Sequence, residues 1–235
     1  MPRSIEELAD RQMRRWSLTR RSSAQEAPRP CIALSRLPGA GAAALGQKLA
    51  ERLDYTFFGI ELVDWIARSA GLARELVAGV DEHVRSVIER SVSDSFRHQQ
   101  FTEGDYLWHL VRVVTTLGER GGAVILGRGA QFILPAERAL RVLVVAPETL
   151  RRENLAKQRA LAPAQASAAL AQEDANRREF HAHHFGRDPD QPAHYDLVVN
   201  LGSLASDAAV DLLAAALGAR FPGAARGRGA AAAPR

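Results

Sequence analysis

The stretch CIALSRLPGAGAAALGQKLAERL, residues 31–53, constrains this chain more than any other. CIALS is short, apolar and closed by a turn, the pattern of a buried strand. Leu45, Leu49 and Leu53 then recur every four residues and share one helix face. A strand, a glycine turn and a helix in that order open an α/β unit. Gly39 and Gly41 let the backbone bend so that the amides of Gly39 to Ala43 point inward at the positive end of the helix, an arrangement that attracts phosphate. Two side chains normally complete such a loop, a lysine that neutralises the outer phosphates and a serine or threonine that holds magnesium. Their places hold Ala42 and Ala44. The only lysines are Lys48, over a helical turn farther on, and Lys157, so positive charge at the loop has to come from arginine, Arg36 first.

In the full 235 residues, 46% are hydrophobic and 25% charged, as in a water-soluble globular chain. No segment approaches the ~20 apolar residues of a membrane span, and MPRSIEELADRQMRRW has no apolar signal-peptide core, so a cytoplasmic protein without a membrane partner is expected. A single cysteine, Cys31, excludes an intrachain disulfide and the usual cysteine-based zinc site. The net charge of +4 gathers in RQMRRWSLTRR, RRENLAKQR and the tail. Without aromatic–basic interleaving or a reading-helix motif, compositional bias accounts for these arginines better than a nucleic-acid partner does.

Ser4 with Glu7 forms a capping box, and Ile5, Leu8, Ala9, Met13 and Trp16 recur at helical spacing. Residues 1–29 therefore read as an amphipathic helix and linker, suited to self-association or partner docking. Residues 30–218 read as one domain, and 219–235 as a disordered basic tail. Inside the domain, AVIL, LRVLVVAP and YDLVVN read as strands. IELVDWIARSAG, DEHVRSVIERSVSDSF and GDYLWHLVRVVTTLGER read as helices. The charged helix from Glu148 is expected to run to Ala162, the next to start at Pro163, and the last to be capped by Ser206. This alternation predicts a parallel sheet with helices on both faces.

Further candidates lie downstream. GRG, Gly127–Gly129, follows a strand and sets Arg128 at its carboxyl end, where α/β sheets bind ligands. Arg151, Arg152, Arg159, Arg177 and Arg178 fall on adjacent helices. They suit either a lid closing over phosphates or solvated faces paired at i,i+4, as Glu173 with Arg177 and Asp174 with Arg178. His181, His183 and His184 lack a nearby carboxylate or cysteine of metal-ligand spacing and read as surface histidines.

Taken in order, SRLPGAG, FFGIELV, ILGRGA, VVAPETLRR, EDANRREF and YDLVVN resemble the cytidylate kinase-like family over most of residues 31–217. The resemblance implies an α/β P-loop kinase-like fold, a parallel sheet flanked by helices on both faces, with an arginine-rich helical lid at about 148–186. It implies ATP with Mg2+ as phosphoryl donor and a nucleoside monophosphate, CMP or dCMP first, as acceptor. On that pattern Ser35, Gly39, Ala40, Gly41, Ala42 and Ala43 hold the donor, and Arg36, Arg128, Arg152 and Arg177 serve catalysis. Glu61, Arg128, Arg159 and Arg178 face the acceptor, and no metal ligand is assigned. Two alternatives stand beside it: a nucleotide-binding protein without catalysis, to which Ala42, Ala44 and Gly59 point, and a basic protein that binds nucleic acid through its ends.

Overall fold

The computed structural model describes residues 28–68, 86–87 and 106–222. The expected N-terminal helix, most of the helix over 81–96 and the tail beyond 222 lie outside the described residues. Five strands, β1 (Cys31–Arg36), β2 (Thr56–Phe58), β3 (Ala123–Leu126), β4 (Ala139–Val145) and β5 (Leu197–Asn200), form one sheet in the order β2-β3-β1-β4-β5. Every pairing in it is parallel. Parallel strands need crossovers, and these are supplied by α1 (Ala42–Leu53), α2 (Ile60–Arg68), α3 (Tyr106–Arg120), α4 (Ala130–Ile133), α5 (Glu148–Arg159) and α6 (Pro163–Phe185), while α7 (Ser206–Arg220) follows the last strand.

The strands alternate their buried side chains between two cores. Ile32, Leu34, Val124 and Val142 face α1 and α7, where Leu45, Leu49 and Leu213 meet them. Cys31, Ala33, Phe58 and Ile125 face α2 and α3, where Ile66, Leu110 and Leu117 meet them. Each such leucine stabilises the fold by ~2–3 kcal/mol through area removed from water. Cys31 is a packing residue, its thiol pushed up to about 12 mainly by burial.

Two helix ends differ from expectation. α5 stops at Arg159 rather than Ala162, because Ala160 turns left-handed (φ 52) and the Leu161 amide donates to the Ala156 carbonyl at 3.0 Å. Pro163 imposes the stop by holding the residue before it, Ala162, extended. Ser206 is the first residue of α7 rather than its cap; Ala205 holds the cap position and makes no side-chain bond. Among the described residues no helix is long and apolar enough to cross a membrane.

From β1 the chain goes to one side to form β2 and later to the other to form β4. The crevice at the carboxyl ends beside β1 is therefore the switch point at which a doubly wound sheet takes its ligand.

Candidate functional site

The loop after β1 is built by backbone geometry. Gly39 and Gly41 both have positive φ, 75° and 85°, and Gly41 caps α1 in the left-handed region without any side-chain bond. Among the described residues, the amides of Gly39, Gly41, Ala42 and Ala43 donate no backbone hydrogen bond, while Ala40 bonds back to Leu37 at 3.1 Å. The first turn of α1 carries no acid. Its positive end is thus left to an external anion. The side chains of Ala40 and Ala42 are buried against the α1–α7 core, so position 42, the expected lysine place, points into packing. Lys48 is engaged elsewhere, 2.7 Å from Asp207 on α7.

The other side of the loop is braced by α5. Asn154 donates to the Gly39 carbonyl at 2.8 Å and Arg151 to the Pro38 carbonyl at 3.4 Å. A Cβ on Gly39 would sit 2.3 Å from the Arg151 carbonyl oxygen, so only glycine permits this approach. Ser35 lies just before the loop, buried, with its hydroxyl accepting from Arg177 at 3.2 Å.

Arg36 closes β1 beside the paired strand β3, whose end carries Arg128. Gly127, Arg128 and Gly129 all have positive φ; the two glycines adopt it freely, whereas Arg128 (φ 55) is strained by it, and the turn sets Arg128 at the crevice. Its guanidinium is ion-paired with Asp64 of α2, which also accepts from the Tyr106 hydroxyl of α3. Arg36 is different. Half-buried, it has no hydrogen-bond or ion-pair partner among the described residues. Burial first, then the positive charges of Arg177 and Arg128, bring its guanidinium down to about 10, with Glu173 and Glu61 opposing weakly. An arginine held so, at a strand end beside an open helix terminus, is arranged for an anionic ligand.

Helices α5 and α6, the expected lid, rest against the domain. Arg177 is buried and bound to Asp190, to Ser35 and to the Pro189 carbonyl at 3.0 Å. Arg151 is buried and ion-paired with Asp174 at 2.8 Å. Arg159 is exposed and paired with Glu173, whereas Arg152 is half-buried without a partner among the described residues. Arg178 is exposed and lines a shallow depression with Gly186, Arg187 and Pro189. The i,i+4 pairing within α6 is therefore corrected: Glu173 and Asp174 reach across to α5, and Arg177 reaches forward to Asp190. Two helices in contact offer those cross-helix partners, which a single-helix pattern does not show.

The surface assignment of His181 is also corrected. It is buried, and desolvation holds its ring down to about 4, so it is neutral. Its Nδ1 lies 2.8 Å from the Arg177 carbonyl, which can only accept, so Nδ1 carries the proton and Nε2 faces the Gln131 amide at 3.4 Å. Gln131 also donates to the Tyr195 hydroxyl at 3.5 Å, and that hydroxyl donates to the Pro189 carbonyl at 2.7 Å. This network fixes the end of α6 to α4 and to the segment that holds Arg177. His184 is half-buried, and no three-residue group of metal-ligating type occurs among the described residues.

A loop hydroxyl and a strand-end carboxylate are what hold magnesium in P-loop sites. Ala44 offers neither, and Asp64 is committed to Arg128 and Tyr106. Glu61 after β2 and Glu148 after β4 are exposed, and three strand spacings, ~14 Å, separate their strands. The residues present do not fit a protein-held magnesium ion.

Sequence reasoning missed Asp64, Tyr106, Asn154 and Asp190. Asp64 lies one helical turn after Glu61, which places it on the face of the named candidate. The other three have no local signal, since each acts on a residue far away in the chain.

Among solved structures, an uncharacterized protein from Eubacterium ventriosum superposes with a TM-score of 0.61 at 17% identity, covering 80% of this chain and 98% of its own. Shikimate kinase from Bacteroides thetaiotaomicron gives 0.46 at 15% identity, covering 80% and 98%. That from Acinetobacter baumannii gives 0.43 at 16%, covering 83% and 97%. Both shikimate kinases superpose too loosely to inform the site. Among curated proteins, the uronate isomerase of Corynebacterium glutamicum is 31% identical over 102 residues, 43% of this chain. This chain thus spans about a fifth of that relative's length, 20%. The model of the cytidylate kinase-like family matches residues 31–203, from the first residue of β1 to just beyond β5, and by that match the chain belongs to the cytidylate kinase-like family.

Proposed function

We propose that this chain is a nucleotide-binding phosphotransferase that takes a nucleoside monophosphate, CMP or dCMP first, as acceptor and ATP as donor. Arg36 carries the reading: an unpartnered, half-buried guanidinium at the switch point, beside a capless helix terminus. Phosphoryl transfer needs positioning and positive charge more than covalent chemistry. The backbone from Gly39 to Ala43 would hold the donor phosphates, with Arg36 and Arg152 available for charge on them. Arg128, oriented by Asp64, would meet the acceptor. A cytoplasmic nucleotide pool suits such a ligand, and the N-terminal segment remains a candidate for docking a partner or a second copy.

The test is a coupled assay over a panel of nucleoside monophosphates with ATP, beside a melting series with each nucleotide. Turnover of one monophosphate above the no-enzyme blank is expected; none with any acceptor would sink the transfer reading. A second reading, binding without transfer, is favoured by Ala42 and Ala44, which remove two charge-handling side chains. Loss of such contacts in a water-excluded site slows transfer by ~10²–10³ per group. It expects a nucleotide-dependent rise in melting temperature with no turnover.

A further inference from the structure

We infer that the crevice holds its nucleotide's phosphates through arginine and backbone amides alone, with no divalent cation bridging ligand and protein. The inference deepens the nucleotide-binding reading and rests on it. Its first ground is the donor set. The loop position that would offer a hydroxyl is Ala44, β1 ends in Arg36, β3 runs into Gly127 and Arg128, and β4 runs into Ala146 and Pro147. Asp64 has both carboxylate oxygens engaged, one by Arg128 and one by Tyr106, and its charge is already balanced. Glu61 and Glu148 follow strands three spacings apart, ~14 Å, and both are exposed, so neither stands as a built ligand at the loop.

The second ground is the charge that stands there instead. Arg36 has no ion-pair partner among the described residues and lies close enough to Arg128 and Arg177 to feel both. Arg128 and Arg177 are balanced by Asp64 and Asp190, so the charge left without an ion-pair partner beside them is that of Arg36, and a phosphate group supplies the missing negative charge. A magnesium ion introduced between these guanidiniums would add positive charge where repulsion already exists. A metal-free nucleotide, with the larger negative charge, is the better match.

The experiment is calorimetric titration of the full chain with ATP and, separately, CMP, once with excess EDTA and once with saturating magnesium. The expected result is ATP binding in EDTA at least as tight as in saturating magnesium, and up to about tenfold tighter. With Arg36→Gln, binding in EDTA weakens about tenfold or more, and Arg36→Lys recovers part of it. Circular dichroism and a melting curve show that each variant is folded. Binding that disappears in EDTA and returns with magnesium would overturn the inference while leaving the nucleotide reading intact. Unchanged binding by Arg36→Gln would overturn its arginine half. No binding of either nucleotide under either condition would refute the nucleotide reading and this inference with it.

Discussion

Replacing Arg36 by glutamine should make the ligand-free protein more stable while weakening its response to nucleotide. Burial and the charges of Arg177 and Arg128 bring the Arg36 guanidinium down to about 10. At ~1.4 kcal/mol for each tenfold change in proton affinity, this is a penalty of at most about 3 kcal/mol on the folded, charged form. Partial exposure screens the repulsion and leaves ~1–2 kcal/mol. The sign follows from linkage. The folded state holds this proton less tightly than the unfolded state, so the cost is present in full at neutral pH and is relieved only as pH rises through about 10. Glutamine keeps part of the aliphatic stem and removes the charge. For a chain of this size the gain corresponds to a melting temperature higher by ~2–6 °C. Differential scanning calorimetry at neutral pH, on wild type and variant without ligand and with excess ATP, measures both effects. A fall of similar size in the ligand-free variant would mean that Arg36 has a stabilising partner in the folded state, and the case for a ligand-directed arginine would collapse.

Other contacts give further expectations. Asp174→Asn leaves the buried Arg151 without its counter-charge and should cost ~2–4 kcal/mol in urea denaturation, whereas Glu173→Gln, at the exposed Arg159 pair, should cost less than ~1 kcal/mol; equal effects would contradict the burial argument. Gly39→Ala, with its Cβ forced within 2.3 Å of the Arg151 carbonyl oxygen, should lower the melting temperature by ~4 °C or more and weaken nucleotide binding. A variant that melts like wild type would show that the loop does not rest on α5. His181 is held down to about 4, so its contribution to stability is complete above its unfolded pKa near 6.5 and is lost as pH falls toward 4. His181→Asn should therefore show a shallower loss of stability over that interval, by about 1 kcal/mol per pH unit; parallel curves would show that the ring takes up its proton without cost.

Several elements were legible because their signals are local. CIALS, AVIL and YDLVVN are apolar runs too short for helices, and each is a strand of the parallel sheet. The left-handed turns at Gly39, Gly41, Gly127 and Gly129 follow from glycine at those places. Arg36 and Arg128 were legible for the same reason: an arginine directly after a strand in such a sheet has nowhere to be but the carboxyl edge. The pairings of the helical arginines were not, because Arg151 has Asp174, Arg159 has Glu173 and Arg177 has Asp190 as alternatives to any i,i+4 neighbour. Which partner wins depends on how α5 lies against α6, and spacing within one helix holds no record of that.

By itself, then, the sequence determined the alternation of strands and helices, the phosphate-attracting bend at Gly39–Gly41 and the absence of lysine and hydroxyl from it, because periodicity, glycine conformation and side-chain identity are properties of the chain alone. Only the tertiary structure decided which arginines keep free charge. Arg151 and Arg177 are consumed by Asp174 and Asp190, Arg128 is balanced by Asp64, and Arg36 and Arg152 are left without counter-ions among the described residues. The physical reason is that a charge is neutralised by whatever folding brings within a few ångströms, at whatever distance it lies along the chain.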